Sequence, residues 1–164
     1  MHRVAYGAAA LVFLGSCAAP DSLSAGRAAA AEGFFHGVFA CDPGAIDRYA
    51  AADVAVSYPV FETLFQTPVI RGREAVKEFS AGFCTRWEDP RVAVHQAVVE
   101  GDRVVLVWEF SALPVAGSSD SGAGAVSRAS WGGISFFRLD RAGQVIEEVG
   151  EESTPGPAAR LWGS

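Results

Sequence analysis

Arg103-Val104-Val105-Leu106-Val107-Trp108-Glu109-Phe110-Ser111-Ala112 decides the fold. Val104, Leu106, Trp108 and Phe110 fall on one face, and Val105, Val107, Glu109 and Ser111 on the other. That period of two is the signature of a β-strand with one face turned to a core. Upstream, Glu100-Gly101-Asp102 is a tight-turn signal that joins this strand to another, Val92–Val99. Downstream, 114–124 is rich in Ser, Gly and Ala and reads as a hairpin loop. A long strand follows over 126–140, where the pair Gly132-Gly133 predicts a bulge or a sharp bend. Asp140-Arg141-Ala142-Gly143 turns the chain into a last strand over 144–152, and 154–164 reads as a flexible Pro/Gly tail.

The first half of the chain carries helical signals. An apolar stripe (Phe34, Phe35, Val38, Phe39) predicts a helix over 25–40. Asp42-Pro43 looks like a fresh start, because Asp caps free backbone N–H groups and Pro suits the first helical position. It opens a short helix over 43–51. Val54–Tyr58 alternates like a strand, ended by Pro59. Residues 60–71 read as a hairpin or a loop over a pocket mouth. Val76, Phe79, Phe83 and Trp87 mark a third helix over 72–87. Helices first and strands later argue for an α+β domain. The expected architecture is a cone-shaped roll, a strongly curved antiparallel sheet wrapped over three N-terminal helices. Its concave interior is a candidate ligand cavity.

Half of the 164 residues are apolar and the formal net charge is -6. With no Lys/Arg cluster, nucleic-acid binding is a poor fit, because phosphate recognition needs concentrated positive charge. Met1-His2-Arg3 is followed by a short apolar run ending in Leu14-Gly15-Ser16-Cys17. The run is far shorter than the roughly 20 residues that span a bilayer, and it fits a signal peptide. Its end resembles the lipobox of bacterial lipoproteins, which implies lipidation of Cys17; an ordinary signal peptide cut elsewhere is the alternative. The expected organisation is a signal peptide (1–16), a lipidated cysteine with a tether (17–26), a pocket domain (27–153) and the tail. The expected location is the cell envelope. Loss of Arg3 with the leader takes the charge to −7. Cys41 and Cys84 remain. They are expected as two buried free thiols, with a disulfide as the alternative an oxidising compartment would permit. No CxxC or Cys/His spacing suits zinc, so neither metal nor cofactor is expected.

Three further segments act together: Arg71-Gly72-Arg73-Glu74-Ala75-Val76-Lys77-Glu78-Phe79; Glu100 to Val105; and Gly133-Ile134-Ser135-Phe136-Phe137-Arg138-Leu139-Asp140, followed by Gly143-Gln144-Val145-Ile146-Glu147-Glu148. In order and spacing they resemble the SnoaL-like branch of the nuclear transport factor 2-like superfamily, over about residues 28–152. The resemblance implies the cone-shaped fold and a pocket, but no particular reaction, since this scaffold hosts isomerases, cyclases, dehydratases, epoxide hydrolases and binding domains. Ketosteroid isomerase, in the same superfamily, needs a tyrosine, an aspartate base and a protonated aspartate. The matching positions here are Phe34, Tyr58 and Ser135, so that reaction is rejected. The epoxide hydrolase pattern needs Arg two residues before an acid, and Val107-Trp108-Glu109 lacks it; Arg128 across the sheet is a weak substitute. Polyketide cyclases of the SnoaL type use an acid near the last strands, where this chain has Glu147, Glu148, Glu151 and Glu152.

Strand alternation puts Glu148 and Glu152 on one face, and the resemblance points to Glu148 as the inward acid. An inward carboxylate would have a raised pKa and could move protons; the bland alternative is a solvated sheet end. Glu109 faces outward by apolar count and inward by the resemblance, in which case Arg128 would pair with it. Tyr58 is either a hydrogen-bond donor to a ligand or an amphipathic core residue. Glu148, Glu109 and Tyr58 are thus the candidate catalytic residues. Phe34, Val38, Phe79, Trp108, Trp131, Ser135 and Phe137 are candidate pocket walls, and His95 is expected to be structural. Two function classes remain. One is an envelope-anchored domain that binds a small, largely apolar molecule, with isomerase, cyclase or lyase chemistry if it is an enzyme. The other is an interaction module whose open sheet face meets a second copy, as a homodimer, or another envelope protein.

Overall fold

A computed structural model describes residues 22–116 and 127–162. The leader, Cys17, and residues 117–126 of the small-residue loop lie outside the described residues.

Helix α1 (Ser22–Phe39) precedes α2 (Pro43–Tyr49) and strand β1 (Ala50–Ser57). Next come α3 (Pro59–Phe65), the two-residue strand β2 (Ile70–Arg71) and α4 (Arg73–Cys84). The second half is β3 (Trp87–Glu100), β4 (Arg103–Pro114), β5 (Ala129–Leu139), β6 (Val145–Ser153) and α5 (Pro157–Trp162). The six strands form one curved sheet in the order β2-β1-β6-β5-β4-β3. All neighbours are antiparallel except β1 and β6, which run parallel. The fold is α+β, as the segregation of helical and strand signals implied.

Local chemistry explains most boundaries. The Asp42 carboxylate accepts hydrogen bonds from the backbone N–H groups of Gly44 (3.0 Å) and Ala45 (3.2 Å), and Pro43 takes the first position of α2. Such a cap contributes about 1 kcal/mol. β4 buries Val104, Leu106, Trp108, Phe110, Ala112 and Pro114 and leaves the alternate residues more exposed. Those side chains, Pro114 apart, meet Phe34, Phe35, Val38 and Phe39 of α1 in the core. Phe35 sits 5.0 Å from Trp108 and 6.4 Å from Phe137, ring centre to ring centre. Each fully buried side chain of this size contributes roughly 1.5–3 kcal/mol by leaving water.

Several expectations need correction. Cys41 and Cys84 are not free thiols: they form a disulfide, Cα atoms 6.0 Å apart, that ties the end of α1 to the end of α4. Residues 60–71 are neither hairpin nor bare loop, because Pro59 nucleates α3 and β2 then joins the sheet edge. Trp87 belongs to β3 rather than to the third helix. The stretch Ser22–Gly26, read as tether, is already helical. No bulge interrupts Gly132-Gly133 in the β4–β5 ladder; Gly132 faces Glu109 and Gly133 faces Trp108 in unbroken register. The reason for glycine is close approach, since a Cβ on Gly133 would lie 2.3 Å from the Trp108 ring. Residues 154–164, expected as a loose tail, include α5. Its Pro157 and Ala158 are buried, with Gly156 and Pro157 against Gly132. Among the described residues no helix is long and apolar enough to cross a membrane.

Candidate functional site

The helices and the concave face of the sheet enclose a cavity of about 900 Å³, large enough for most of a drug-sized guest. Eight aromatic side chains line it: Phe39, Tyr58, Phe61, Phe65, Phe79, Phe83, Trp87 and Trp131. Ala75, Glu78, Phe79, Gly82 and Phe83 of α4 also line it, at helical spacings that put one stripe of the helix on the cavity. α3 contributes Val60, Phe61 and Phe65. The polar lining is Glu78, Arg86, Glu152, Ser153 and Thr154, together with Tyr58.

Tyr58 connects this cavity to a buried polar network. Pro59 disfavours helical backbone at the residue before it, and Tyr58 is extended (φ −137°, ψ 146°) at the junction of β1 and α3. Its ring packs against β6, where Gly150 makes room: a Cβ there would be 2.1 Å from the ring. The Tyr58 hydroxyl donates to Glu148 Oε1 at 2.5 Å and is 2.9 Å from Ser135 Oγ. The Trp108 indole N–H donates to the same Ser135 Oγ at 2.9 Å. All four side chains are buried. Glu148 Oε2 has no hydrogen-bond partner among the described residues.

Burial raises the Glu148 pKa to about 7, against the lowering effect of its hydrogen bonds with Tyr58 and Ser135. Burial first, and Glu148 second, push the Tyr58 phenol well above its usual 10, so it stays protonated. At the rim, Glu152 is also raised by partial burial, offset by a hydrogen bond from Trp131. A carboxyl group that titrates near neutrality behind a tyrosine at a cavity wall is suited to moving a proton.

The sequence candidates separate under this geometry. Tyr58, Phe79 and Trp131 line the cavity, and Glu148 lies behind Tyr58. Phe34, Val38 and Phe137 do not line it; they are consumed in the core between α1 and the sheet. Trp108 and Ser135 are not lining residues either, and they reach the cavity only through Tyr58. Glu109 is corrected as a catalytic candidate. It lies on the outer face, accepts a hydrogen bond from Ser130 (2.8 Å), and pairs with His95 (3.5 Å). Arg128 does not pair with it, but bonds to the Asp89 side chain and to the Asp89 and Ser111 carbonyls. Phe39 and Phe83, on helical apolar stripes, also line the cavity, as do Phe61, Phe65 and Trp87, which the sequence does not mark as walls. Their signal was hidden in a segment with no clean period and at a helix–strand junction. Among the described residues, no group of three or more His, Cys, Asp or Glu side chains could hold a metal.

A curved sheet over helices, enclosing an aromatic cavity with one buried acid, defines a cone-shaped pocket domain. The model of the SnoaL-like domain family matches residues 31–148, and the chain belongs to that family. Solved structures share its fold. TsrD from Streptomyces laurentii is 23% identical with a TM-score of 0.62, over 85% of this chain and 97% of that one. A candidate SnoaL-like polyketide cyclase from Jannaschia sp. CCS1 is 15% identical with a TM-score of 0.64, over 84% and 92%. TerC, co-crystallised with polyporic acid, is 18% identical with a TM-score of 0.62, over 79% and 92%. At these identities the likeness establishes the fold alone. No curated protein matches the chain.

Proposed function

We propose that this chain is a lipid-anchored envelope protein that binds a small, largely apolar molecule in its aromatic cavity and moves a proton on it. The carrying observation is the 2.5 Å Tyr58–Glu148 pair, whose tyrosine lines the cavity and whose carboxyl titrates near neutrality. An isomerisation or cyclisation in which a proton is given to one atom of the guest and taken back from another needs no co-reactant, and Glu148 acting through Tyr58 supplies the relay. TerC, on the same fold, has been crystallised with a small organic acid. The leader and the Leu14–Cys17 lipobox support export and anchoring at Cys17.

Mass spectrometry of the protein purified gently and sprayed under native conditions tests the binding. One retained guest, lost on Phe79→Asp, is expected; an empty protein that also takes up no apolar compound overturns it. Labelled palmitate incorporated in a bacterial host, and lost in Cys17→Ala, tests the anchor; labelling that persists in that variant refutes it.

A homodimer is a second proposal, favoured by the outer sheet face. Val98, Val105, Phe136 and Val149 stand opposite one another across β3, β4, β5 and β6, forming one apolar row. Val98 and Val149 are exposed. Light scattering should give twice the chain mass, and Phe136→Glu the single mass; a monomeric wild type removes the proposal.

A further inference from the structure

The buried network contains fewer protons than it has places to put them, and their count decides what the cavity can hold. Trp108 is a donor only, so its N–H goes to Ser135 Oγ. Ser135 then has one proton to give, shared between Tyr58 Oη, 2.9 Å away, and the Glu148 carboxylate. Tyr58 has one proton, and it goes to Glu148 Oε1. While Glu148 is ionised, Trp108 donates to Ser135 and both hydroxyls serve the carboxylate, so the Tyr58 proton is committed to Glu148 and Tyr58 presents only lone pairs elsewhere. An acceptor oxygen placed against it would be repelled. Once Glu148 is protonated, the carboxyl can donate to Tyr58, and the phenol proton is released for another acceptor.

We propose that the guest carries a hydrogen-bond-accepting oxygen of the carbonyl type, and that Tyr58 holds it only while Glu148 is protonated. The proposal rests on the cavity binding described above and adds the chemical class of guest and a control by pH. The titratable groups that bear on Tyr58 are Glu148, which bonds to it, and Glu152, at the rim. Ser135 and Trp108 complete its polar surroundings and do not titrate in this range.

Calorimetric titration of the purified chain with 2-acetylnaphthalene and with 2-ethylnaphthalene, from pH 6 to pH 8.5, tests this. Both have the same rings, and only the first has an acceptor oxygen. With Glu148 titrating at about 7, the ketone should bind about tenfold more weakly at pH 8 than at pH 6, since apparent affinity follows the competent fraction. The hydrocarbon should show no slope. Glu148→Gln, whose amide is never charged and can donate to Tyr58, should hold the ketone at pH 8 as the wild type does at pH 6. Tyr58→Phe should abolish the slope, and Glu152→Gln should keep it. A hydrocarbon that fails to bind at any pH refutes the cavity reading itself. Hydrocarbon binding with no pH-dependent preference for the ketone, or a slope abolished by Glu152→Gln instead of Glu148→Gln, overturns the inference and leaves the cavity reading standing.

Discussion

Glu148→Gln should make the protein more stable above neutral pH, an unusual outcome for removing a group with a close hydrogen bond. The sign follows from linkage. The Glu148 carboxyl moves from about 4.5 in the unfolded chain to about 7 in the fold. Between those values the folded state binds more protons than the unfolded one, so stability falls as pH rises through that window and levels off above 7. Between pH 4.5 and 7, at 1.36 kcal/mol per pH unit, the loss amounts to about 3 kcal/mol, of the order of a quarter or more of a typical domain's stability. The cause is physical: a fully buried carboxylate with one unpartnered oxygen gives up its hydration for two hydroxyl contacts. Glutamine has nearly the same shape and no charge to desolvate. Urea unfolding of both proteins at pH 5 and pH 8, with the disulfide intact, isolates the effect as a difference of differences. The wild type should lose about 3 kcal/mol more than the variant across that interval, roughly 6–12 °C in Tm. Parallel losses in the two proteins would refute it, and with it the claim that Glu148 is a desolvated acid.

Reducing the Cys41–Cys84 bridge, which closes a 43-residue separation, should cost about 4 kcal/mol through the unfolded-state entropy it restores; urea midpoints with and without reductant measure it. Gly150→Ala places a methyl group where the Tyr58 ring lies, 2.1 Å from it. It should destabilise by about 1–3 kcal/mol and weaken binding of the cavity guest, read by thermal melts and calorimetry. Asp42→Ala removes the two cap bonds at α2 and should cost about 1 kcal/mol without changing guest affinity, which makes it a control for stability loss alone.

The sheet was legible because half-buried strands write a period of two into the chain, and β4 did so without a break. The α2 start was legible because Asp-Pro has one good structural use. The disulfide was not, because nothing in a 43-residue spacing says that the ends of α1 and α4 meet. α3 escaped because its seven residues are too few to show a period. For the site, alternation puts Glu148 and Glu147 on opposite faces and the family resemblance selects Glu148 as the inward acid: Glu148 is buried, whereas Glu147 pairs with Arg138 on the outer face. Alternation also placed Glu109 outside; the family resemblance, which suggested the reverse, was the weaker guide there. Phe34, Val38 and Phe137 look like walls in the sequence because an inward side chain can face either a cavity or a packed core. That choice depends on how far α1 stands from the sheet, a distance fixed by packing rather than by residue type.

The occupancy of the cavity itself is tested most directly by calorimetric titration with 2-ethylnaphthalene at several temperatures. One saturable site per chain is expected, with a negative heat-capacity change from burial of apolar surface, and Phe79→Asp should abolish it. Heats that never saturate, or a heat-capacity change near zero, would contradict the account.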